Sequence, residues 1–431
     1  MDKAHKKGTD AGGNAVDQST ALILFTFLGS GSDAVKKELA GQLPAEKWAV
    51  LVELAQQHGV AALLYNHLQL LKIDLPDDPA KELKQAIKQN TLRMMQFSQA
   101  MNGLLGLMND HSIAVVVLKG AYLAEAVYKN IGLRMMGDID LMVKNVDLER
   151  LDGLLLVSGW VPQENNRVVA KDSHHFRYRM PGSGLMVEIH WAIIDSSAPL
   201  RIDVEELWSR ARPVTLAQAP ALTLAPEDLL IHLCLHTAKH IYEMRMRMLC
   251  DIHEVIRHFG VELNWPEIGE RARQWGAMRA VYVVLRLAQE LLGSAVPADW
   301  LAALCPENFN DGYLDLAREQ LFRQRSGVRG SLKPSRQLAV RLSQLWEAKG
   351  VGSKLALLQD RLLPSREMMG RLYPVPSHSW RIYLYYPVHI KNIFLRRGAA
   401  LWRLAQGDSE SLAAAEYTNR LKVLQDWLLS G

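Results

Sequence analysis

Long hydrophobic runs are missing from this 431-residue chain. An uncharged stretch at 94–109 is broken by Gln96, Ser98, Gln99 and Asn102 and falls short of the roughly 20 apolar residues that cross a bilayer. Cysteine is scarce: Cys234, Cys250 and Cys305 are an odd number with no CxxC spacing. That argues against a disulfide scaffold or a thiolate zinc site and fits a reducing, cytoplasmic setting. An excess of one charge is also absent. The balance of 50 Lys+Arg against 46 Asp+Glu gives +4, too little to mark a nucleic-acid binder. GxSxG, GxGxxG and GxxxxGK[ST] do not occur in a supporting context, which removes hydrolase triads, dinucleotide folds and P-loops from consideration. What remains is a composition of 49% hydrophobic and 22% charged residues, the proportions of a soluble globular protein.

Residues 1–18 are polar and glycine-rich, with no apolar run before a cleavage site; they are expected as a disordered tail rather than a signal peptide. A helical region is expected over 19–110. Within it, 46–68 repeats apolar residues near a 3.6-residue period, and a long helix occupies about 80–110. The texture changes at Ile113. AVVVLKG is a β-branched run closed by Gly120, and strands are also expected at 139–143, 175–180 and 185–191, with helices at 121–129 and 146–158. This α/β core is assigned to 111–225. Helices return at 226–304, in a region expected to pack on the core, and continue through 305–431. The fold class is α+β: a small mixed sheet embedded in N- and C-terminal helical regions.

The most informative segment is Gly137-Asp138-Ile139-Asp140-Leu141-Met142-Val143. On a strand, Asp138 and Asp140 share one face while Ile139, Leu141 and Val143 point to the core. A bare DxD by itself marks no more than a solvated strand end, yet two carboxylates on one face repel and call for a cation. Oxygen ligands on a rigid strand suit Mg²⁺, which keeps waters and recruits phosphate oxygens. Upstream, Lys119-Gly120-Ala121 ends a strand and opens a helix, a geometry that receives phosphate. Arg134 could neutralise phosphate or pair with a carboxylate such as Asp138. Downstream, in Val187-Glu188-Ile189-His190-Trp191, Glu188 and His190 share a face. Three carboxylates from two strands beside a glycine turn are the parts of a two-metal phosphoryl-transfer site.

The strand–Gly–helix–loop–DID unit resembles the signature of the polymerase-β-like nucleotidyltransferase superfamily, hG[GS] followed by hDhDh. More narrowly, LKG…Y…R.M.DIDLMV, VEIHW and HLCLH…H…D resemble the bacterial group called uncharacterised nucleotidyltransferases, over roughly 35–260. This chain departs from the pattern in carrying Ala121 at the second glycine-motif position and in its longer Gly120–Asp138 gap. The resemblance implies that Asp138, Asp140 and Glu188 are catalytic and hold Mg²⁺, with Glu188 helping to deprotonate an acceptor hydroxyl. It implies a nucleotide contact around Lys119, Gly120, Ala121, Arg134 and His190, with ATP or another NTP as substrate and pyrophosphate as leaving group. The acceptor stays open among a protein, a small molecule and a glycan precursor. Two alternatives differ in class: a catalytically silent binding or scaffold relative, and kinase-like transfer of a γ-phosphoryl by the same metals.

Two other features stand apart. His232, His236 and His240 recur at i, i+4, i+8 without the HExxH pattern of zinc hydrolases, so they are read as a structural or substrate-facing helix. The segment 371–403 is basic and aromatic. It is expected to pack its aromatics inward, with peripheral membrane contact as the second reading and an acidic or nucleic-acid partner as the third.

Overall fold

The computed structural model describes residues 18–163, 174–195, 198–323, 364–366, 369–370, 373, 375, 378–392 and 409–430. The expected tail, apart from Gln18, lies outside the described residues, as do Arg371, Phe394, Arg396, Arg397, Trp402 and Arg403 of the basic segment. The chain divides into two units: 15–324 with 425–431, and 1–14 with 325–424.

The first unit begins with four helices, α1 (Gln18–Leu28), α2 (Asp33–Gln42), α3 (Ala45–His58) and α4 (Ala61–Leu70), followed by the long α5 (Asp77–Asp110). Pro79 falls in the first turn of α5, where its missing N–H costs nothing. Gly59 takes φ +71 at the end of α3, a left-handed cap that glycine adopts without a Cβ penalty.

Seven strands then form one mixed sheet. They are β1 (Val115–Val117), β2 (Asp138–Val143), β3 (Val161–Pro162), β4 (His175–Arg179), β5 (Met186–His190), β6 (Arg212–Leu216) and β7 (Ala219–Thr223), in the order β3-β4-β5-β2-β1-β7-β6. The central pair β2–β5 is parallel, and β1 runs antiparallel to β2. Ile139, Leu141, Val143, Val187 and Ile189 have at most 1% of their surface exposed. That is the apolar half of the DID and EIH alternation, and it anchors the sheet on its core. Between β1 and β2 the expected helix is a short α6 (Lys119–Tyr122) that continues as a π-helical turn, Leu123–Val127. After β2 comes α7 (Leu148–Val157), and α8 (Val204–Arg210) precedes the β6–β7 hairpin.

Six helices follow: α9 (Pro226–Lys239), α10 (Met246–Phe259), α11 (Trp265–Trp275), α12 (Met278–Leu292), α13 (Ala298–Ala303) and α14 (Asp311–Phe322). Pro226 starts α9 at its first turn, with Glu227 and Asp228 beside the helix N-terminus. The Asn264 side chain caps α11 by accepting from the Glu267 N–H. All three cysteines are free thiols. No described helix is long and apolar enough to cross a membrane.

In the second unit, described residues of the basic aromatic segment pack among themselves. Tyr373 lies against Tyr385 with ring centroids 5.0 Å apart, and the Tyr386 hydroxyl donates to the Pro364 carbonyl at 2.6 Å. Trp380, Tyr383 and Leu384 are exposed.

Candidate active site

The parallel register of β2 and β5 sets Asp140 beside Glu188 and Met142 beside His190. The antiparallel register of β5 with β4 brings His175 opposite His190. Strand alternation then puts Asp138, Asp140, Glu188, His175 and His190 on one face of the sheet. Asp140 is 5% exposed and His190 3%, whereas the Asp138 and Glu188 side chains are half-buried.

Two basic groups meet Asp140. The Lys119 ammonium lies 2.7 Å from Oδ1, and His190 Nε2–H donates to the same oxygen at 3.0 Å while lying 3.4 Å from Glu188 Oε2. Burial alone would raise the Asp140 pKa; the Lys119 charge and the His190 bond outweigh it and hold the carboxyl well below its usual range. Among the described residues, no such bond reaches Asp138. Burial first, then the negative charges of Asp140 and Glu188, push its pKa up to about 6. Burial likewise lowers His174, and brings His175 down to about 4, so these two imidazoles are neutral at pH 7.

Lys119 reaches Asp140 from a backbone with φ +37, the left-handed region that side chains other than glycine enter at a cost. The expected phosphate turn is therefore strained at its lysine. Gly120 follows, and a Cβ there would run into Nη1 of Arg134 and the Met136 side chain. Arg134 does pair with a carboxylate, but that carboxylate is Asp251 of α10. It donates from Nε and Nη2 at 2.9 and 2.8 Å, and the Tyr128 hydroxyl adds a third bond at 3.0 Å. Ala121 is buried beside these residues on α6. A cavity of about 20 Å³, lined by Lys119, Arg134, His236, Arg247 and Asp251 among others, is large enough for about one water.

The histidine helix is α9. Burial first, then the Lys119 charge, lowers His232 and His236 far below the ordinary imidazole value, which puts this helix beside the carboxylate face. Among the described residues, the groups whose donor atoms lie within 4.8 Å of one another are Asp140/Glu188/His190 and His174/His175/His190. The α9 histidines do not form such a group. Asp251 closes the HLCLH…H…D motif, but its pairing with Arg134 was not expected, and Tyr128 and Asp195 were missed as members of this neighbourhood. Asp251 lies 117 residues from Arg134, and no local pattern links the two.

The profile of the family described as uncharacterised nucleotidyltransferase matches residues 44–293, more than half of the chain. The chain belongs to this family. It is an enzyme of the nucleotidyltransferase class, and the match runs past residue 260 to the glycine that ends α12. Comparison with curated proteins finds no match. Among solved structures, the antibiotic-resistance factor ANT(2″)-Ia in solution is similar at 13% identity, over 46% of this chain and 98% of that one, with a TM-score of 0.32. Its crystal structure with adenylyl-2″-tobramycin gives 12% identity, 42% and 97% coverage and 0.31. An antigenic nucleotidyltransferase-like protein from Paracoccidioides brasiliensis gives 14%, 47% and 95%, and 0.29. At these identities and TM-scores the likeness assigns no residue a role.

The donor chemistry fits a hard divalent cation. Asp138, Asp140 and Glu188 supply carboxylate oxygens on one face, where burial and then the charges of Asp140 and Glu188 raise the pKa of Asp138.

Proposed function

We propose that the protein transfers a nucleoside monophosphate, AMP from ATP in the simplest case, to a hydroxyl of an acceptor, with Asp138, Asp140 and Glu188 holding Mg²⁺. The observation that carries this reading is the register pairing Asp140 with Glu188, with Asp138 two residues away on the same face. Bound Mg²⁺ would neutralise triphosphate charge and favour departure of pyrophosphate.

The chain's own residues divide the remaining work. Lys119 holds Asp140 ionised and stands at the entry of α6, where a triphosphate would approach the backbone of Gly120 and Ala121. Arg134, fixed by Asp251 along one edge of its guanidinium, keeps Nη1 over Gly120 as a cation for the phosphate side. His190 holds Asp140 on β2 by its Nε2–H. Glu188, at 19% side-chain exposure the most open carboxylate of the Asp140/Glu188 pair, accepts the acceptor's proton as its oxygen attacks the α-phosphorus. The new P–O bond forms as the bond to the pyrophosphate oxygen breaks.

The test is incubation of the full chain with α-labelled ATP, Mg²⁺ and fractionated small molecules and proteins. Label retained on an acceptor with pyrophosphate released supports the reading. ADP as product would instead mean γ-phosphoryl transfer, and no Mg²⁺-dependent nucleotide binding would mean a silent relative.

A further inference from the structure

The same sheet face carries a second group of donors, of which the proposed nucleotidyl transfer uses only His190. His174 immediately precedes β4, His175 opens it, and His190 closes β5 directly opposite His175. Their rings pack with centroids 4.7, 5.3 and 5.0 Å apart, and one ring nitrogen of each lies within 4.8 Å of the other two. His174 and His190 are 5% and 3% exposed.

An imidazole triad buried for packing alone is costly, because each ring nitrogen removed from water needs a partner. Among the described residues, none bonds the buried Nδ1 of His190. His174 is held differently. Its Nδ1 bonds an Asp195 carboxylate oxygen, and the Lys239 ammonium fixes the other oxygen at 2.7 Å. A carboxylate only accepts, so the His174 proton sits on Nδ1 and the lone pair on Nε2. A carboxylate that orients one ring nitrogen and leaves the other free is the outer support that metal-binding histidines carry. Three imidazole nitrogens suit ions such as Zn²⁺ or Co²⁺ better than Mg²⁺, and Glu188 stands beside them, 3.8 Å from His175 Nε2 and 3.4 Å from His190 Nε2.

We propose that His174, His175 and His190 form a site for a divalent transition metal, with Asp195 and Lys239 positioning His174, distinct from the carboxylate site and joined to it through His190.

The experiment uses the full chain stripped with a chelator and titrated with Co²⁺ alone, read by visible absorption and by metal-to-protein stoichiometry, with excess Mg²⁺ as competitor. One nitrogen-ligated Co²⁺ per chain, undisplaced by Mg²⁺, is expected. His175→Ala changes a partly exposed strand residue and should weaken Co²⁺ by about 10–100-fold or more, and Asp195→Asn, which keeps all three ligands, by about 10-fold. Asp138→Ala should leave Co²⁺ affinity unchanged, although it disables the carboxylate site. Equal affinity in wild type, His175→Ala and Asp195→Asn would overturn the proposal. So would loss of Co²⁺ binding in Asp138→Ala alone, since the ion would then belong to the carboxylates. Should His175→Ala lose its circular-dichroism spectrum, Asp195→Asn decides. None of these readings depends on transfer activity, so failure here and failure of the proposed reaction are separable.

Discussion

Asp140 and Asp251 are both almost fully buried, at 5% and 3% exposure, but they belong to clusters of opposite charge balance. Asp251 receives both arms of the Arg134 fork and the Tyr128 hydroxyl, so its charge and oxygens are satisfied within the fold. Asp228 is treated in the same way, by Arg210 and Arg271. Asp140 shares one sheet face with Asp138 and Glu188, and three carboxylates face the Lys119 ammonium with His190 between them. Charge that is paired in place stabilises architecture, whereas charge left in excess waits for a ligand.

If this division is right, removing an aspartate from each cluster should have opposite signatures. Asp138→Ala should abolish transfer, a fall of about 10⁴-fold in kcat/KM, while the thermal transition moves little. Asp251→Ala leaves the Arg134 guanidinium buried without its partner, and should cost about 3–5 kcal/mol of stability, measured by chemical denaturation. The comparison breaks if Asp251→Ala is tolerated structurally or if Asp138→Ala unfolds the chain.

A third measurement sharpens it through pH. Asp138 has a folded pKa of about 6 against an ordinary 3.8, so the folded state binds its proton more tightly than the unfolded one. The resulting stability is fully present below about pH 4 and is lost as pH rises through 6. Asp138→Asn cannot ionise. In the absence of divalent cations it should therefore be more stable than wild type by about 2 kcal/mol at pH 7.5, with the gain vanishing near pH 4. A pH-independent difference would mean that Asp138 is not held against its neighbours' charge.

The acidic face was legible in the sequence because its information is local. DID and EIH each state their phase within three residues, and apolar positions at 139, 141, 187 and 189 fix which face turns outward. The partners that distinguish Asp251 from Asp140 were not legible, since they meet only in the fold. The β6–β7 hairpin was hidden for another reason. Its two-residue turn has φ +45 at Ala217 and +64 at Gln218, angles normally announced by Asn-Gly or Gly. Here the Glu125 carboxylate accepts from the Ala217 N–H at 3.0 Å and Asn102 donates to its carbonyl at 2.5 Å. Side chains 92 and 115 residues away hold a turn that its own residues do not signal.

The smallest expected effect lies between the two clusters, at Gly120. A Cβ added there would push on Nη1 of Arg134, and that guanidinium cannot swing away freely because Asp251 holds its other edge. Gly120 lies within the short helix α6, where alanine would otherwise gain up to about 1 kcal/mol over glycine. The collision should reverse that sign, leaving Gly120→Ala destabilised by about 1 kcal/mol, an effect that belongs to the paired cluster. Nucleotide binding reports on the other side of the residue. If phosphate approaches the Gly120 backbone, Gly120→Ala weakens ATP far more than adenosine. If the glycine serves only to admit Arg134, Gly120→Ala lowers stability and changes the affinities for ATP and adenosine alike. Isothermal titration of ATP and adenosine into wild type and Gly120→Ala separates these outcomes, and the second would move the triphosphate away from α6.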